Sequence, residues 1–304
     1  MSKFKDFVDI KNHVIELSKK KPKKISVASA GDIEVLKTIK MSNDIGLATG
    51  ILIGEREEIT KYADEIGLDL SINTIVDVSG EKAIAEKAVE KVRTGEADML
   101  MKGLIHSPTF MRAILNSQTG IKSGGFVHLV SAVYHPSLSK IRLFSDLGMV
   151  VEPTLNEKIE MIKNASEVAI KMGIEKPKVA LLAAMETVSE KISVTNECAI
   201  ISKMADRAQI GDVIVDGPLS FDLACFKEAC ERKRYEGPIQ GDADVLIMPN
   251  LHAGNIFYKS AVYMAGMETG SNFAGVKKPI AIFSRGDTAE AKLNSIAFAL
   301  MLSE

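Results

Sequence analysis

Apolar runs alternate along the whole chain with longer stretches in which apolar residues recur every three or four positions. The short continuous runs are typical of strands covered on both faces, and the longer stretches are typical of amphipathic helices. This alternation predicts an α/β fold in which helices cover parallel sheets. The predicted strands are Lys24–Ala30, Leu47–Gly54, Asp98–Lys102, Ile141–Phe144, Lys178–Ala184, Asp212–Val215, Asp244–Pro249 and Ile280–Phe283. The predicted helices include Glu81–Thr94, Asn156–Met172, Val194–Gln209, Leu219–Arg234, Asn255–Ala265 and Thr288–Ser303.

Two polar, glycine-rich segments interrupt the pattern, at Ser117–Gly125 and at Gly266–Lys278. Both are predicted to be hinges or cleft loops. A chain of 304 residues is long enough for about two domains at roughly 150 residues each.

Composition narrows the function classes. Lys and Arg number 38 against 40 for Asp and Glu, a net charge of −2, so no basic nucleic-acid surface is expected. The longest apolar runs, Val179–Met185 and Ile296–Leu302, are far shorter than the ~20 residues that cross a bilayer. The N-terminal residues lack the apolar stretch of a secretory signal, so a cytoplasmic protein is expected.

Cysteine and histidine usage gives no sign of a metal centre. Cys198, Cys225 and Cys230 fit no Cys-x-x-Cys spacing, and the five histidines include no close pair. The cysteines are predicted to be reduced and buried. Cys225 and Cys230 lie on one predicted helix, where five residues separate them by about 140°.

The first candidate site is the turn after the predicted strand Ile280–Phe283, where Ser284, Arg285 and Gly286 precede a helix capped by Asp287 or Thr288. Amides at a helix N-terminus carry partial positive charge, and an arginine fork binds phosphate oxygens. An anion site and a plain helix start with an exposed arginine are both compatible with this pattern.

Three further strand ends carry polar turns. Asn250, Gly254, Asn255 and Lys259 follow Asp244–Pro249, and the alternative to a ligand site there is an asparagine cap with a solvated lysine. Asp216 ends a strand before Gly217-Pro218, with Asp222 six residues on. Arg112 follows Lys102-Gly103. For the Asp216 segment and for the Arg112 segment, the alternative to a ligand site is a turn or a solvated helix face.

Together, the four strand ends favour a phosphate-rich ligand, since ligands bind beyond the carboxyl ends of strands in α/β sheets. Neither Gly-x-Gly-x-x-Gly nor Gly-x-x-x-x-Gly-Lys-[Ser/Thr] is present in the sequence. The sequence therefore argues against a dinucleotide fingerprint and a P-loop.

Several of these segments carry a resemblance to a known family. The chain resembles the phosphate acetyl/butyryl transferases, and most of all their phosphate butyryltransferase branch. The residues that carry the resemblance are Ile25–Ala30, Gly95–Leu104, Ser202–Arg207, Val215–Leu219, Asp244–Asn250, Gly254–Lys259 and Ser284–Ile296.

The resemblance implies the reaction acyl-CoA + phosphate = acyl phosphate + CoA, by direct transfer in a ternary complex of enzyme, acyl-CoA and phosphate. A short-chain acyl group is implied, with butyryl as the first expectation and acetyl as the second. CoA is implied as a co-substrate, with no covalently bound cofactor and no metal. The implied fold is that of isocitrate and isopropylmalate dehydrogenases, with two α/β/α domains and a cleft, as a homodimer. Domains of 1–134 plus 287–304 and of 135–286 are expected.

By this resemblance, Ser284 and Arg285 are the catalytic residues, with Arg285 stabilising the oxyanion. Arg112 is a candidate for the CoA phosphates. Asn250, Gly254, Asn255, Lys259 and Asp216 are candidates for substrate binding. In the acetyl branch an aspartate seven residues after the serine is the proposed base, and this chain has Ala291 there. Asp287 or Glu290 is expected to substitute for that aspartate. The alternative is that nearby positive charge alone allows the CoA thiol to become a thiolate.

Two other functions remain open from the sequence. A metal- and nicotinamide-dependent decarboxylating dehydrogenase shares the implied fold and would need clustered aspartates such as Asp216 and Asp222. A regulatory protein that binds CoA or acyl phosphate without turnover is favoured only by Ala291.

Overall fold

The structure is a computed structural model, and it describes residues 2–283 and 286–304. The helices are α1 (Phe7–Lys20), α2 (Ile33–Asp44), α3 (Arg56–Ile66), α4 (Glu81–Arg93), α5 (Ser107–Leu115), α6 (Leu155–Lys171), α7 (Ser193–Asp206), α8 (Phe221–Cys225), α9 (Lys227–Lys233), α10 (Leu251–Ala265) and α11 (Ala289–Leu302). The strands are β1 (Lys24–Ala28), β2 (Thr49–Gly54), β3 (Thr74–Asp77), β4 (Met99–Lys102), β5 (His128–Tyr134), β6 (Arg142–Ser145), β7 (Lys178–Leu182), β8 (Ile214–Leu219), β9 (Val245–Ile247), β10 (Glu268–Ala274) and β11 (Ile280–Ile282). The predicted α/β class is confirmed.

The chain divides into two compact units. The terminal unit comprises Phe7–Val127 and Gly270–Glu304, and the central unit comprises the segment up to Asp6 together with His128–Thr269. The expected domain limits, 134/135 and 286/287, differ from the unit limits. Because β11 pairs in parallel with β4, residues 280–282 belong with the terminal unit. The division into folding domains stays a prediction.

In the terminal unit the strand order is β3-β2-β1-β4-β11-β10. Neighbours pair in parallel from β3 to β11, and β10 pairs antiparallel with β11. Helix α11 packs against α1, α2 and β11, and every residue from Lys292 to Leu302 is buried. The sequence pattern indicated one apolar face for this helix. The structure buries all of its faces instead, as is typical of a helix surrounded by the core.

In the central unit the strand order is β5-β6-β9-β7-β8. The pairs from β6 to β8 are parallel, and β5 pairs antiparallel with β6. All helices of the described chain are too short or too polar to cross a lipid bilayer.

Three sequence predictions are corrected by the elements. Asp216 was expected to end a strand, but β8 continues to Leu219, so Asp216 lies within the strand. Residues 268–274 of the predicted loop Gly266–Lys278 form strand β10, because Ser271 and Asn272 pair with β11 in spite of their polarity. The predicted helix Leu219–Arg234 is two helices, with Phe226 in extended conformation between them. Cys225 and Cys230 therefore lie on different helices, although both are buried as expected.

Buried polar side chains join β5, β6 and α6 in the central unit. His128 Nδ1 lies 2.8 Å from Ser145 Oγ, and His128 Nε2 lies 3.2 Å from Asn164 Nδ2. Next to Ser145, the buried Asp146 carboxylate accepts hydrogen bonds from three backbone amides, those of Leu129, Gly148 and Met149. Burial lowers the pKa of His128 to about 4, and the charge of Asp146 offsets only part of that effect.

This burial predicts a loss of stability in acid. Above pH 6.5 His128 is neutral in both states, but between pH 6.5 and about 4 only the unfolded chain takes up the proton. At ~1.4 kcal/mol per pKa unit, the free energy of unfolding should fall by about 3 kcal/mol from pH 7 to pH 4 because of this group. In His128→Gln the free energy of unfolding, measured by urea denaturation, should therefore fall by about 3 kcal/mol less than in the wild type from pH 7 to pH 4.

The control is His252→Gln, which replaces an exposed histidine on α10. This control should keep the pH dependence of the wild type. Identical pH dependence in His128→Gln and the wild type would contradict the burial argument.

Candidate active site

A cavity of about 310 Å³ lies in the terminal unit, among the segments that follow β1, β4 and β11. It is lined by Asp32, Glu34 and Val35 after β1, by Lys102, Gly103, Leu104 and Ile105 from the end of β4, by Phe283, Gly286 and Asp287 after β11, and by Lys292 of α11. The carboxyl ends of adjacent parallel strands are the usual position of ligand sites in α/β proteins. This cavity is therefore the best candidate for the active site within the terminal unit.

Gly103 allows the end of β4 to lie against the end of β1. Its amide donates to the Ala28 carbonyl at 2.9 Å, and the Leu104 amide donates to the Ser29 carbonyl at 3.2 Å. A Cβ at Gly103 would lie 2.2 Å from the Ser29 oxygen, closer than any side chain tolerates. The Lys-Gly-Leu turn therefore positions Lys102 and Leu104 on the cavity wall.

The charges that line the cavity have different partners. Asp32 caps α2 by accepting from the Val35 amide at 2.9 Å, and Glu34 pairs with Lys37 at 2.8 Å. The hydrogen bond from Lys37 lowers the pKa of Glu34. Two of the lining carboxylates are thus engaged within α2, while Lys102 and Lys292 bring two ammonium groups to the same cavity.

The N-terminus of α11 begins beside the cavity. Thr288 is its cap, since Thr288 Oγ1 accepts from the Ala291 amide at 3.2 Å. Of the two residues considered for the base, Glu290 is exposed and pairs with Lys11, whereas Asp287 is half-buried and lines the cavity.

Ser284 and Arg285, the predicted catalytic residues, lie outside the described residues. Phe283 and Gly286, which flank them in the sequence, both line the cavity.

Arg112 lies on α5, exposed, beside a second hollow of about 620 Å³. Its guanidinium donates to the Pro108 carbonyl at 3.2 Å and to Thr109 Oγ1 at 3.4 Å. Glu81 accepts from the His106 amide at 2.8 Å, which lowers the pKa of that carboxyl. The hollow carries both signs of charge, since Glu81, Glu86, Lys82 and Arg112 all line it.

Four of the predicted binding residues lie on or next to α10 of the central unit. Asn250 caps the helix, since its Oδ1 accepts from the Ala253 amide at 3.1 Å. Gly254 packs on the segment that follows β6, and a Cβ there would lie 2.2 Å from the Asp146 carbonyl oxygen. Asn255 is exposed, and Lys259 is half-buried with its Nζ 4.7 Å from the Tyr258 ring.

Asp216 has a structural partner. It accepts from the Tyr235 hydroxyl and from the Gly217 amide at 2.9 Å. Burial, together with this carboxylate, raises the pKa of Tyr235. Asp222 instead binds Ser220 and Lys233, so the two aspartates do not form a pair. In residues 2–283 and 286–304, no group of three or more His, Cys, Asp and Glu side chains is arranged to hold a metal ion.

The three cysteines are buried thiols. Burial raises the pKa of Cys198 and of Cys225 to about 11, and it also raises the pKa of Cys230. At neutral pH such groups are protonated, and the thiolate is the nucleophilic form. The geometry therefore provides no activated cysteine among them.

Sequence reasoning did not select Lys292, Val35 or Phe283 for the site. Lys292 lies within an apolar helical pattern and Val35 within an ordinary amphipathic helix, so neither position carries a local signal. Only strand pairing brings them to one cavity. A signal existed for Phe283, because it ends a predicted strand.

The chain matches a family described as phosphate acetyl/butaryl transferase, over residues 9–89 and 81–300. It is 38% identical to the phosphate butyryltransferase of Clostridium acetobutylicum over 95% of this chain and 96% of that protein. It is 37% identical to the phosphate acetyltransferase of Thermotoga maritima over 95% of this chain and 98% of that protein. The two names differ in the acyl group.

Solved structures agree with the sequence relatives. A branched-chain phosphotransacylase from Enterococcus faecalis superposes with a TM-score of 0.84 at 33% identity, over 92% of this chain and 99% of that chain. A 4-hydroxythreonine-4-phosphate dehydrogenase from Klebsiella pneumoniae superposes with a TM-score of 0.60 at 10% identity, over 93% of this chain and all of that chain, which shows the fold alone. The expected dehydrogenase-like fold and the expected family are both confirmed. The chain thus belongs to the phosphate acetyl/butyryl transferase family, a family of phosphate acyltransferases.

Proposed function

We propose that this phosphate acyltransferase moves a short-chain acyl group between CoA and inorganic phosphate by direct transfer, with butyryl preferred to acetyl. The observation that carries the proposal is the family match along nearly the whole chain. The cavity supports it, since it combines two lysines with apolar side chains at the carboxyl ends of three strands.

The reaction requires positive charge at two places. A phosphate oxygen attacks the thioester carbonyl, the new C–O bond forms, and negative charge develops on the carbonyl oxygen. The C–S bond then breaks, and CoA leaves as a thiolate that takes up a proton. In reverse, a free thiol of pKa about 8.5 must lose that proton. We assign the oxyanion to Arg285 and the hydrogen bond to sulfur or phosphate to Ser284, from the sequence and the family.

The described residues supply supporting roles. Lys102 and Lys292 add cationic charge to the cavity, where they would hold phosphate oxygens. Asp287 is the better substitute for the aspartate that Ala291 replaces, because Glu290 is held by Lys11 at the surface. Direct transfer is supported by the buried, protonated cysteines, none of which is poised to carry an acyl group.

Arg112 remains our candidate for the CoA phosphates, and Asn255 and Lys259 for further substrate contacts. Asn250, Gly254 and Asp216 make structural contacts that account for these residues without a ligand. Their proposed binding roles are therefore indirect, through the placement of α10 and Tyr235. The homodimer and the cytoplasmic location remain predictions from the family resemblance and the sequence.

The first prediction concerns the dependence on phosphate. Purified protein with butyryl-CoA should release free thiol only when phosphate is present, because phosphate is the attacking group. A thiol-reactive dye follows the release, with boiled protein as the control. No phosphate-dependent release with acetyl-, propionyl-, butyryl- or isobutyryl-CoA would refute the proposed function. A burst of one thiol per chain without phosphate would instead indicate an acyl-enzyme and refute direct transfer.

The second prediction concerns Arg285. Arg285→Ala should lower kcat at least about tenfold, since a lost oxyanion-stabilising group is expressed in the transition state. Circular dichroism and the urea midpoint should match the wild type. Arg56→Ala, at an exposed arginine on α3, serves as the matched control and should keep full kcat. Unchanged turnover in Arg285→Ala would show that a residue other than Arg285 supplies the catalytic cation.

A further inference from the structure

Four apolar side chains line the 310 Å³ cavity: Val35, Leu104, Ile105 and Phe283. Val35 and Ile105 are buried, at 7% and 4% exposure, and Phe283 is half-buried. Leu104 is 55% exposed, which places it at the mouth of the cavity. An apolar lining with one exposed member is open to a ligand that can bury hydrocarbon there.

Charged side chains lie among the apolar ones. Lys292 Nζ lies 5.8 Å from the centre of the Phe283 ring, and Lys102 comes from the turn that also carries Leu104. A ligand with a polar end and a short hydrocarbon tail matches this mixed lining, with its polar end at the lysines and its tail against the apolar side chains.

The size of the cavity admits a short-chain acyl group. At roughly 10–15 Å³ of accessible volume per water molecule, 310 Å³ holds on the order of twenty waters. Butyryl phosphate fits in this space, whereas the whole of CoA is several times larger than butyryl phosphate. An acetyl group would leave much of the apolar lining without contacts, and unfilled apolar volume costs free energy of binding.

We propose that Val35, Leu104 and Phe283 receive the acyl chain and set its length. This inference rests on the proposed acyl transfer and names the residues that choose the substrate. The pantetheine arm of CoA is the competing occupant, and the test distinguishes the two.

The test compares kcat/KM for acetyl-, butyryl- and hexanoyl-CoA, with phosphate saturating. In the wild type, butyryl-CoA should exceed acetyl-CoA by at least about tenfold, because each methylene in an apolar pocket is worth roughly tenfold or more. Leu104→Phe and Val35→Phe add volume to the lining, so the butyryl-to-acetyl ratio should fall at least tenfold. Phe283→Ala removes volume, so the hexanoyl-to-butyryl ratio should rise at least tenfold.

Ile45→Phe is the matched control, since it adds the same ring next to the C-terminus of α2 at a residue 39% exposed and away from the cavity. It should leave all ratios unchanged. Because Leu104 is at the mouth, Leu104→Phe keeps the test available if Val35→Phe fails to fold.

Three results have separate meanings. A wild type that is inactive with every acyl-CoA refutes the proposed function, and with it this inference. An active wild type whose ratios are unaffected by the cavity variants refutes the inference alone. Variants that raise KM equally for all three acyl-CoAs also refute it, and they assign the cavity to the pantetheine arm.

Discussion

Strand β4 pairs in parallel with β1 on one side and with β11 on the other, so the chain leaves three neighbouring strands at the same edge. Gly103 is the residue that makes this edge compact, because its missing side chain lets the turn after β4 pass against the carbonyls of Ala28 and Ser29. Without that close approach, Lys102 and Leu104 would be displaced from the α11 residue Lys292. The shape of the cavity therefore depends on this backbone contact.

Two of the carboxylates that line the cavity bind groups of α2. Asp32 and Glu34 neutralise groups of α2, and Glu290 pairs with Lys11 outside the cavity. Lys102 and Lys292 therefore share the cavity with carboxylates that also bind groups of α2, and Lys292 acts on Glu34 as well. A reaction that builds charge on a carbonyl oxygen and on a leaving sulfur is stabilised by such an environment. The buried thiols, held protonated by desolvation, stay outside this chemistry.

Local signals were sufficient for most elements and insufficient for some. Continuous apolar runs identified β1, β2 and β4, and the Thr288 cap was among the two positions expected. Strand β10 was missed because Ser271 and Asn272 are polar, and their place in the sheet comes from pairing with β11. The single helix expected at Leu219–Arg234 divides at Phe226, whose extended backbone has no clear sequence signal. Asp216 was predicted to bind a ligand. In the structure its carboxylate instead accepts a hydrogen bond from the hydroxyl of Tyr235, 19 residues later in the chain.

The sequence by itself determined the α/β class, the family and the residue types available at each strand end, because these follow from short-range pattern and from motifs along the chain. Tertiary structure alone decided which of those residues meet. Val35, Lys102, Phe283 and Lys292 are separated by up to 257 positions, and parallel pairing of strands brings them around one cavity. Parallel strands are joined by long crossovers, so the residues at their shared edge are distant in sequence, and no local pattern records the contact.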